Sequence, residues 1–331
     1  MNKVLVTGGG GFVGATLTKR LREQNCQVTV LGRHRYPHLE ALGVTCRVGD
    51  IGDRAVVHDS CDGIDTVFHV AAKAGIWGPW PAYRHTNIEG TANVLAACKA
   101  HGVSRLIYTS TPSVVFDRGD INGGDESLPY ASRFLCHYAR SKAIAERMVL
   151  AEHGDGLKTC AIRPHLIWGP EDPHLIPRLV ERGRQGHLKI VGDGHNRVDI
   201  SYIDNVVHAH LLAEKCLASS GICGGKAYFI GQERPVELWQ WINDLFRHLQ
   251  IAPVSRQVSR KTAYLAGLLL ETFHTVFCPA KEPKMTRFLA EQLSRSHFFS
   301  HARAERDFGY RPVVSLEEGQ RRLVSWLHDH Q

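Results

Sequence analysis

The run VLVTGGGGFVG, Val4 to Gly14, constrains this chain more than any other stretch. A short apolar strand ends in four consecutive glycines and gives way to a helical pattern over roughly residues 14–24. That order builds a phosphate cradle, because the first helical N–H groups are free and the helix end carries positive potential. Two dinucleotide spacings fit. Gly9-x-Gly11-x-x-Gly14 is the general one, and Gly8-x-x-Gly11-x-x-Gly14 is wider. In the wider reading Gly8 makes the tight turn, Gly11 lets pyrophosphate approach the backbone, and Gly14 lets helix pack on strand. Phe12 and Val13 open the helix between them.

Apolar runs then alternate with helical patterns: CQVTVLG, VTCRVGD, DTVFHVAA, RLIYTS and KTCAIRP read as strands, with helices over about 83–101 and 137–153. Strands separated by helices imply βαβ units with right-handed crossovers, hence an α/β fold with a doubly wound parallel sheet. After Pro164 the rhythm changes: prolines punctuate a loop, KAYFIG reads as a strand returning to the main sheet, and the remainder is mostly helical. The expected organisation is a nucleotide-binding part over 1–165 with returning segments at about 198–230. A smaller, mostly helical substrate-binding part covers 166–197 and 231–331. Hydrophobic residues make up 43% of the 331 and charged residues 22%, enough to bury a large core. The net charge of +7 favours anionic ligands, yet no basic block carries interleaved aromatics, which argues against nucleic acid. Nine scattered cysteines without a C-x-x-C or metal-ligand spacing suit reduced, mostly buried thiols and a cytoplasmic protein.

The second strand tells which nucleotide to expect. An NAD site usually carries a carboxylate there for the ribose hydroxyls. Here the strand ends Gly32-Arg33-His34-Arg35. Two guanidinium groups and no acid favour a 2′-phosphate, so NADP(H) is expected, with NAD(H) left open. Asp50, with Ile51 after it, is placed to reach the adenine, or else to cap the next helix; Ala71 follows the fourth strand.

Far downstream, HYARSKAIAE sets Tyr138 and Lys142 four apart on a helix, facing the same way. An ammonium beside a phenol favours the phenolate, so the pair can pass a proton to or from a substrate oxygen near neutral pH. This pair selects the wider glycine spacing. The fifth strand ends in YTSTPSVVF, where a hydroxyl is needed to hold a carbonyl oxygen beside the tyrosine. Thr111 is the first choice and Ser110 the second.

With TGGGGFVG, TSTPSVVF, YARSK and RPHLIWGP in this order, the chain resembles an extended short-chain dehydrogenase, a Rossmann enzyme, and more narrowly the 3β-hydroxysteroid dehydrogenase/isomerase family. Two branches are similar. DESLPYASRFLCHY and DNVVHAH resemble the sterol-4-carboxylate 3-dehydrogenases. AAKAGIWG, LIWGPEDPHLIPRL and DFGYRPVVSLEEG resemble the 2-alkyl-3-oxoalkanoate reductases. The resemblance implies Tyr138 as acid/base, Lys142 as its tuner and ribose ligand, Thr111 as carbonyl holder, and Pro164 and His165 beside the cofactor. It implies NADPH-dependent reduction of a hydrophobic β-keto acid. The alternatives are oxidation of a 3β-hydroxysteroid or sterol-4-carboxylate, nucleotide-sugar epimerisation, or cofactor sensing without chemistry. A homodimer formed through helices flanking the sheet is implied in the same way.

A substrate carboxylate needs a cation, and Lys73, Arg163, His165 and Arg197 lie in segments expected near the nicotinamide end. Arg163 has the competing reading of a structural arginine. Finally, TAYLAGLLLETFHTVF, Thr262 to Phe277, places Tyr264, Leu265, Leu268, Leu269, Phe273, Val276 and Phe277 at helical spacing. It reads either as an ordinary packed helix or as an amphipathic lid that admits a lipid-like substrate and touches a membrane surface.

Overall fold

The computed structural model describes residues 2–330. Strands and helices alternate through the first half: β1 (Lys3–Thr7), α1 (Phe12–Glu23), β2 (Gln27–Gly32), α2 (Pro37–Glu40), β3 (Thr45–Val48), α3 (Arg54–Ser60), β4 (Thr66–His69), α4 (Trp80–Tyr83), α5 (Gly90–Ala100), β5 (Arg105–Thr109), β6 (Ile121–Gly124), α6 (His137–Ala151) and β7 (Lys158–Pro164). The second half carries β8 (Ile167–Trp168), α7 (Leu175–Arg184), β9 (Ile190–Val191), β10 (Arg197–Val198), β11 (Ser201–Tyr202), α8 (Ile203–Ala218), β12 (Ala227–Ile230) and β13 (Val236–Glu237). It closes with α9 (Leu238–His248), β14 (Gln257–Val258), α10 (Arg260–Phe277), α11 (Arg287–Ser294), β15 (His297–Phe299), α12 (Ala302–Phe308) and α13 (Leu316–Asp329).

Seven strands form one parallel sheet in the order β12-β7-β5-β4-β1-β2-β3. Helices cover both faces, so every residue of the central strand β4 and of the edge strand β12 is buried. β1 lies between β2 and β4, with Val4 opposite both Val28 and Thr66. The chain order reverses there, and a doubly wound sheet opens its ligand crevice at the carboxyl ends of the strands beside such a reversal. As KAYFIG implied, β12 returns to the edge beside β7, with Tyr228 opposite Ile162.

Two local features depart from the sequence reading. The helix expected over 83–101 is interrupted: residues 84–89 form a π-helical turn between α4 and α5. The second half, mostly helical as expected, also carries a four-stranded sheet, β13-β10-β15-β6. In it Ile121 pairs with His297, tying the segment after β5 to the C-terminal region.

Helix α10 is neither a conventional packed helix nor one that turns its broad apolar face inward. It packs through a narrow stripe, Ala263, Gly267 and Glu271, four residues apart. A Cβ at Gly267 would lie 2.6 Å from the Thr286 carbonyl carbon, so the helix backbone itself abuts the segment leading into α11. On the other side Leu265, Leu269, Phe273, Val276 and Phe277 are each more than half exposed. Among the described residues no helix is long and apolar enough to cross a membrane.

Candidate active site

The glycines of the wider spacing sit where backbones meet closely. Gly8 turns the chain out of β1 with φ +70°, a conformation glycine adopts without strain, and its N–H donates to the Leu31 carbonyl. A Cβ at Gly8 would fall 2.8 Å from the Ala71 Cα, and one at Gly14 would fall 2.2 Å from the Gly8 oxygen. Strand, turn and helix therefore touch backbone to backbone. A Cβ at Gly11 meets only that same oxygen, at 3.4 Å, so the far side of this residue is clear for a phosphate. Gly11 caps α1 without any side-chain partner, and Phe12 and Val13 form its first turn. The Thr7 hydroxyl accepts from the Ala71 N–H and lies 2.8 Å from the His69 Nδ1, which holds β1 and β4 in register beside the cradle.

The two arginines after β2 separate. Arg35 is paired with Glu40 at 3.0 and 3.1 Å on the surface. Arg33 is exposed and makes no ion pair or hydrogen bond among the described residues. Asp50 does not cap α3, a role taken by Asp53. Its carboxylate accepts from the Gly52 N–H at 2.7 Å and meets the His85 Nε2 at 3.0 Å. The Ile51 carbonyl accepts from Asn93, which fixes this turn to α5.

Helix α6 carries the candidate reactive side chains, Tyr138 and Lys142. Thr111, at the cap of the short turn after β5, accepts from the Ser113 N–H and lies close enough to Tyr138 to lower its phenol. The Ser110 hydroxyl is buried and makes no hydrogen bond among the described residues. Lys142 is fully buried, donates to the Thr109 carbonyl at 2.5 Å, and rests 4.0 Å over the Tyr108 ring. Burial lowers the Lys142 ammonium to about 7, against the pull of Glu146. Burial raises the Tyr138 phenol to about 12, offset in part by Thr111, while Lys142 bonds the Thr109 carbonyl and rests over Tyr108.

Sequence reasoning missed three supporting residues. Glu146 lies one turn beyond Lys142 and two beyond Tyr138, a periodicity that was there to be read. It is fully buried, gripped by Arg163 at 2.9 and 2.5 Å and by the Tyr130 hydroxyl at 2.7 Å. Burial alone would raise the Glu146 carboxyl, but the Arg163 charge and these hydrogen bonds take it below its ordinary range. Asn87, in the π-helical turn, gives its amide N–H groups to the Ser141 hydroxyl and the Lys73 carbonyl, and accepts from the Lys73 N–H at 2.6 Å. Ser141 in turn donates to the Tyr138 carbonyl, so Asn87 fastens the loop after β4 to the reactive turn of α6. No sequence signal marks a π-turn in an otherwise helical run.

The proposed substrate cations also separate. Arg163 is corrected to a structural role, since its charge is matched by Glu146 and its plane stacks 4.9 Å from the Phe229 ring. Pro164 ends β7 opposite Ile230. His165 next to it is not a cation: burial, then His297, hold it well below its ordinary value. The tautomers follow. His297 Nε2 must donate to the Gln292 carbonyl, so its Nδ1 accepts from His165 Nε2 at 2.7 Å, and His165 Nδ1 carries the lone pair. Arg197 is exposed and stacks 4.8 Å from the Phe298 ring. Lys73 lies 5.2 Å over the Tyr83 ring, in the loop Asn87 holds.

A cavity of about 870 Å³ adjoins this site. It is walled by Ile76, Trp77 and Gly78, by Phe134, Leu135, Cys136 and His137, and by Thr272, Thr275 and Val276 of α10. Cys136 and His137 directly precede Tyr138, so the cavity opens at the first turn of α6. Its wall is largely apolar, and the α10 residues that complete it flank the exposed apolar face.

The model of the 3-beta hydroxysteroid dehydrogenase/isomerase family matches residues 5–259. A 2-alkyl-3-oxoalkanoate reductase of Shewanella oneidensis is 48% identical over 99% of this chain and 87% of its own length. A decarboxylating sterol-4-alpha-carboxylate 3-dehydrogenase of Mus musculus is 33% identical over 98% of this chain and 91% of its own length. Among solved structures, MoeE5 in complex with UDP-glucose and NAD superposes with a TM-score of 0.75 at 26% identity, covering 99% of each chain. The match over most of the sequence agrees with the glycine cradle and the reactive helix: this chain belongs to the 3-beta hydroxysteroid dehydrogenase/isomerase family.

Proposed function

We propose that this protein reduces the ketone of a hydrophobic β-keto acid of the 2-alkyl-3-oxoalkanoate type to the β-hydroxy acid, using NADPH. The observation that carries the reading is that Tyr138, with Thr111 acting on its phenol, directly follows Cys136 and His137 of the cavity wall, in a chain 48% identical to a reductase of that name. The cradle fits a dinucleotide, since Gly8, Gly11 and Gly14 leave backbone where a Cβ would block. Phe12 and Val13 would offer N–H groups, Arg33 would meet a 2′-phosphate, and Asp50, Ile51, Ala71, Pro164 and His165 would line the rest. When bound, the nicotinamide supplies a hydride to the ketone carbon. The hydroxyls of Thr111 and Tyr138 hold the ketone oxygen, and Tyr138 gives its proton to the alkoxide as it forms. A tyrosine raised to about 12 is fully protonated at neutral pH and so ready to donate. Lys142 stands by as the buried proton reservoir and ribose ligand on the same helix face. With Arg163 paired and His165 neutral, Lys73 beside the cavity loop is the cation for the substrate carboxylate.

Detection of a 2-alkyl-3-hydroxy acid from purified protein, NADPH and the matching keto acid tests this reading. Failure to form it, with turnover of a 4-carboxysterol instead, favours the sterol reading that the 33% identity supports.

A further inference from the structure

Gly32 ends β2, where an NAD-type site carries its ribose-binding carboxylate. In this fold the space beside Gly32 is filled by Tyr36. A Cβ on residue 32 would fall 2.6 Å from the Tyr36 hydroxyl oxygen and 2.8 Å from its Cε2. The same ring covers the cradle: a Cβ on Gly10 would fall 2.0 Å from both its Cε1 and its Cζ. Gly9 is excluded from this face by Val30, whose Cγ2 stands 2.4 Å from its added Cβ. The two inner glycines of the run are therefore required by what packs on them, and Gly10 specifically by Tyr36.

The backbone that carries the ring is fixed. Pro37 follows it and restricts its backbone to extended conformations. The Tyr36 carbonyl accepts from the N–H groups of Leu39 and Glu40, and Leu39 is fully buried. Its hydroxyl makes no hydrogen bond among the described residues. Arg33, one residue beyond Gly32, is likewise free, while Glu40 keeps Arg35 out of the way.

A carboxylate at this place accepts from a ribose hydroxyl. A phenol in the same place can donate, as a carboxylate cannot, and a charged phosphate oxygen is a stronger acceptor for it than a ribose hydroxyl. We infer that Tyr36 is a specificity-determining residue: its hydroxyl donates to the 2′-phosphate of the dinucleotide, and its ring occupies the volume an acidic residue at 32 would need. This rests on the NADPH reading above and names the second group, beside Arg33, that enforces it.

The test is the direct measurement of dissociation constants for NADPH, NADH and 2′,5′-ADP on the whole protein and on Tyr36→Phe, which keeps the ring and removes only the hydroxyl. A hydrogen bond to a charged group is worth about 1.5–3 kcal/mol, so NADPH and 2′,5′-ADP should each weaken by about 10-fold or more. NADH should change by less than about two-fold, since it offers the hydroxyl only a neutral ribose hydroxyl where NADPH offers a charged phosphate. Equal weakening of NADPH and NADH, or no weakening of either, overturns the inference and leaves Tyr36 a packing residue only. The parent cofactor reading fails separately, through the unmutated protein, if that binds NADH as tightly as NADPH. Tyr36→Ala, which also removes the floor over Gly10, should additionally weaken NADH; unchanged NADH binding there would remove the ring from the adenosine site.

Discussion

Arg163 grips Glu146 at two points, 2.9 and 2.5 Å apart, one helical turn beyond Lys142 and out of water's reach. The pair joins β7 to α6 and sets the reactive face of the helix against the sheet. Glu146→Gln leaves the arginine charge buried without its counter-ion, and removing one partner of such a pair costs about 3–5 kcal/mol. Urea unfolding should show that loss in Glu146→Gln, with most of it recovered in Glu146→Leu/Arg163→Met. A double variant as unstable as the single one would show that the charges matter less than the shape they fill.

Tyr138→Phe keeps the ring and removes the transferable proton. Turnover should fall at least ~100-fold, the scale of lost general acid catalysis, with NADPH affinity nearly unchanged. Thr111→Ser should retain most of the rate, because the hydroxyl that meets Tyr138 is kept. Thr111→Val should fall toward the Tyr138→Phe level. Single-turnover kinetics separates these effects from binding, and a rapid Tyr138→Phe enzyme would take that residue out of the chemistry.

The arginines after β2 should behave unequally. Arg33→Ala should raise the KM for NADPH by about 10-fold or more, the worth of one charge-assisted contact, and leave NADH nearly unchanged. Arg35→Ala should alter neither cofactor, because Glu40 already holds that guanidinium. Steady-state KM values for both cofactors decide it; equal losses at the two positions would mean that Arg35 leaves Glu40 for the phosphate.

Buried neutral histidines make the fold acid-sensitive. His210 donates from Nδ1 to the Val206 carbonyl and accepts at Nε2 from the Thr109 hydroxyl, and burial lowers it from 6.5 to about 4. Between those values the unfolded chain binds the extra proton, so the stability His210 contributes is complete above pH 6.5 and is lost as pH falls toward 4. Each such group changes stability by about 1.4 kcal/mol per pH unit in that window. Chemical unfolding from pH 7 to pH 4 should show a shallower slope, by about one proton, in His210→Gln. An unchanged slope would place the proton uptake elsewhere.

What was legible in the sequence was local. The cradle, the Tyr138–Lys142 spacing and the Thr111 hydroxyl each sit within one strand-turn or one helix, where periodicity and glycine placement speak directly. What was missed depends on partners far along the chain. Arg163 looked available until Glu146 stood beside it, Arg35 looked equivalent to Arg33 until Glu40 closed on it, and the β6–β15 pairing joins Ile121 to His297 across strands of three and four residues, too short for any pattern. The surroundings of Lys142 were hidden for a related reason. Spacing puts Tyr138 and Lys142 on one helix face, but it does not reveal that Lys142 turns to Thr109 and Tyr108.

The most direct test of the whole account is a comparison of kcat/KM for two reactions of the purified protein: NADPH-dependent reduction of a 2-alkyl-3-oxo acid, and NAD⁺- or NADP⁺-dependent oxidation of a 4-carboxysterol. The site described here predicts rapid reduction of the keto acid, faster with NADPH than with NADH, and little turnover of the sterol. Brisk sterol oxidation with NAD⁺ and silence toward the keto acid would contradict it.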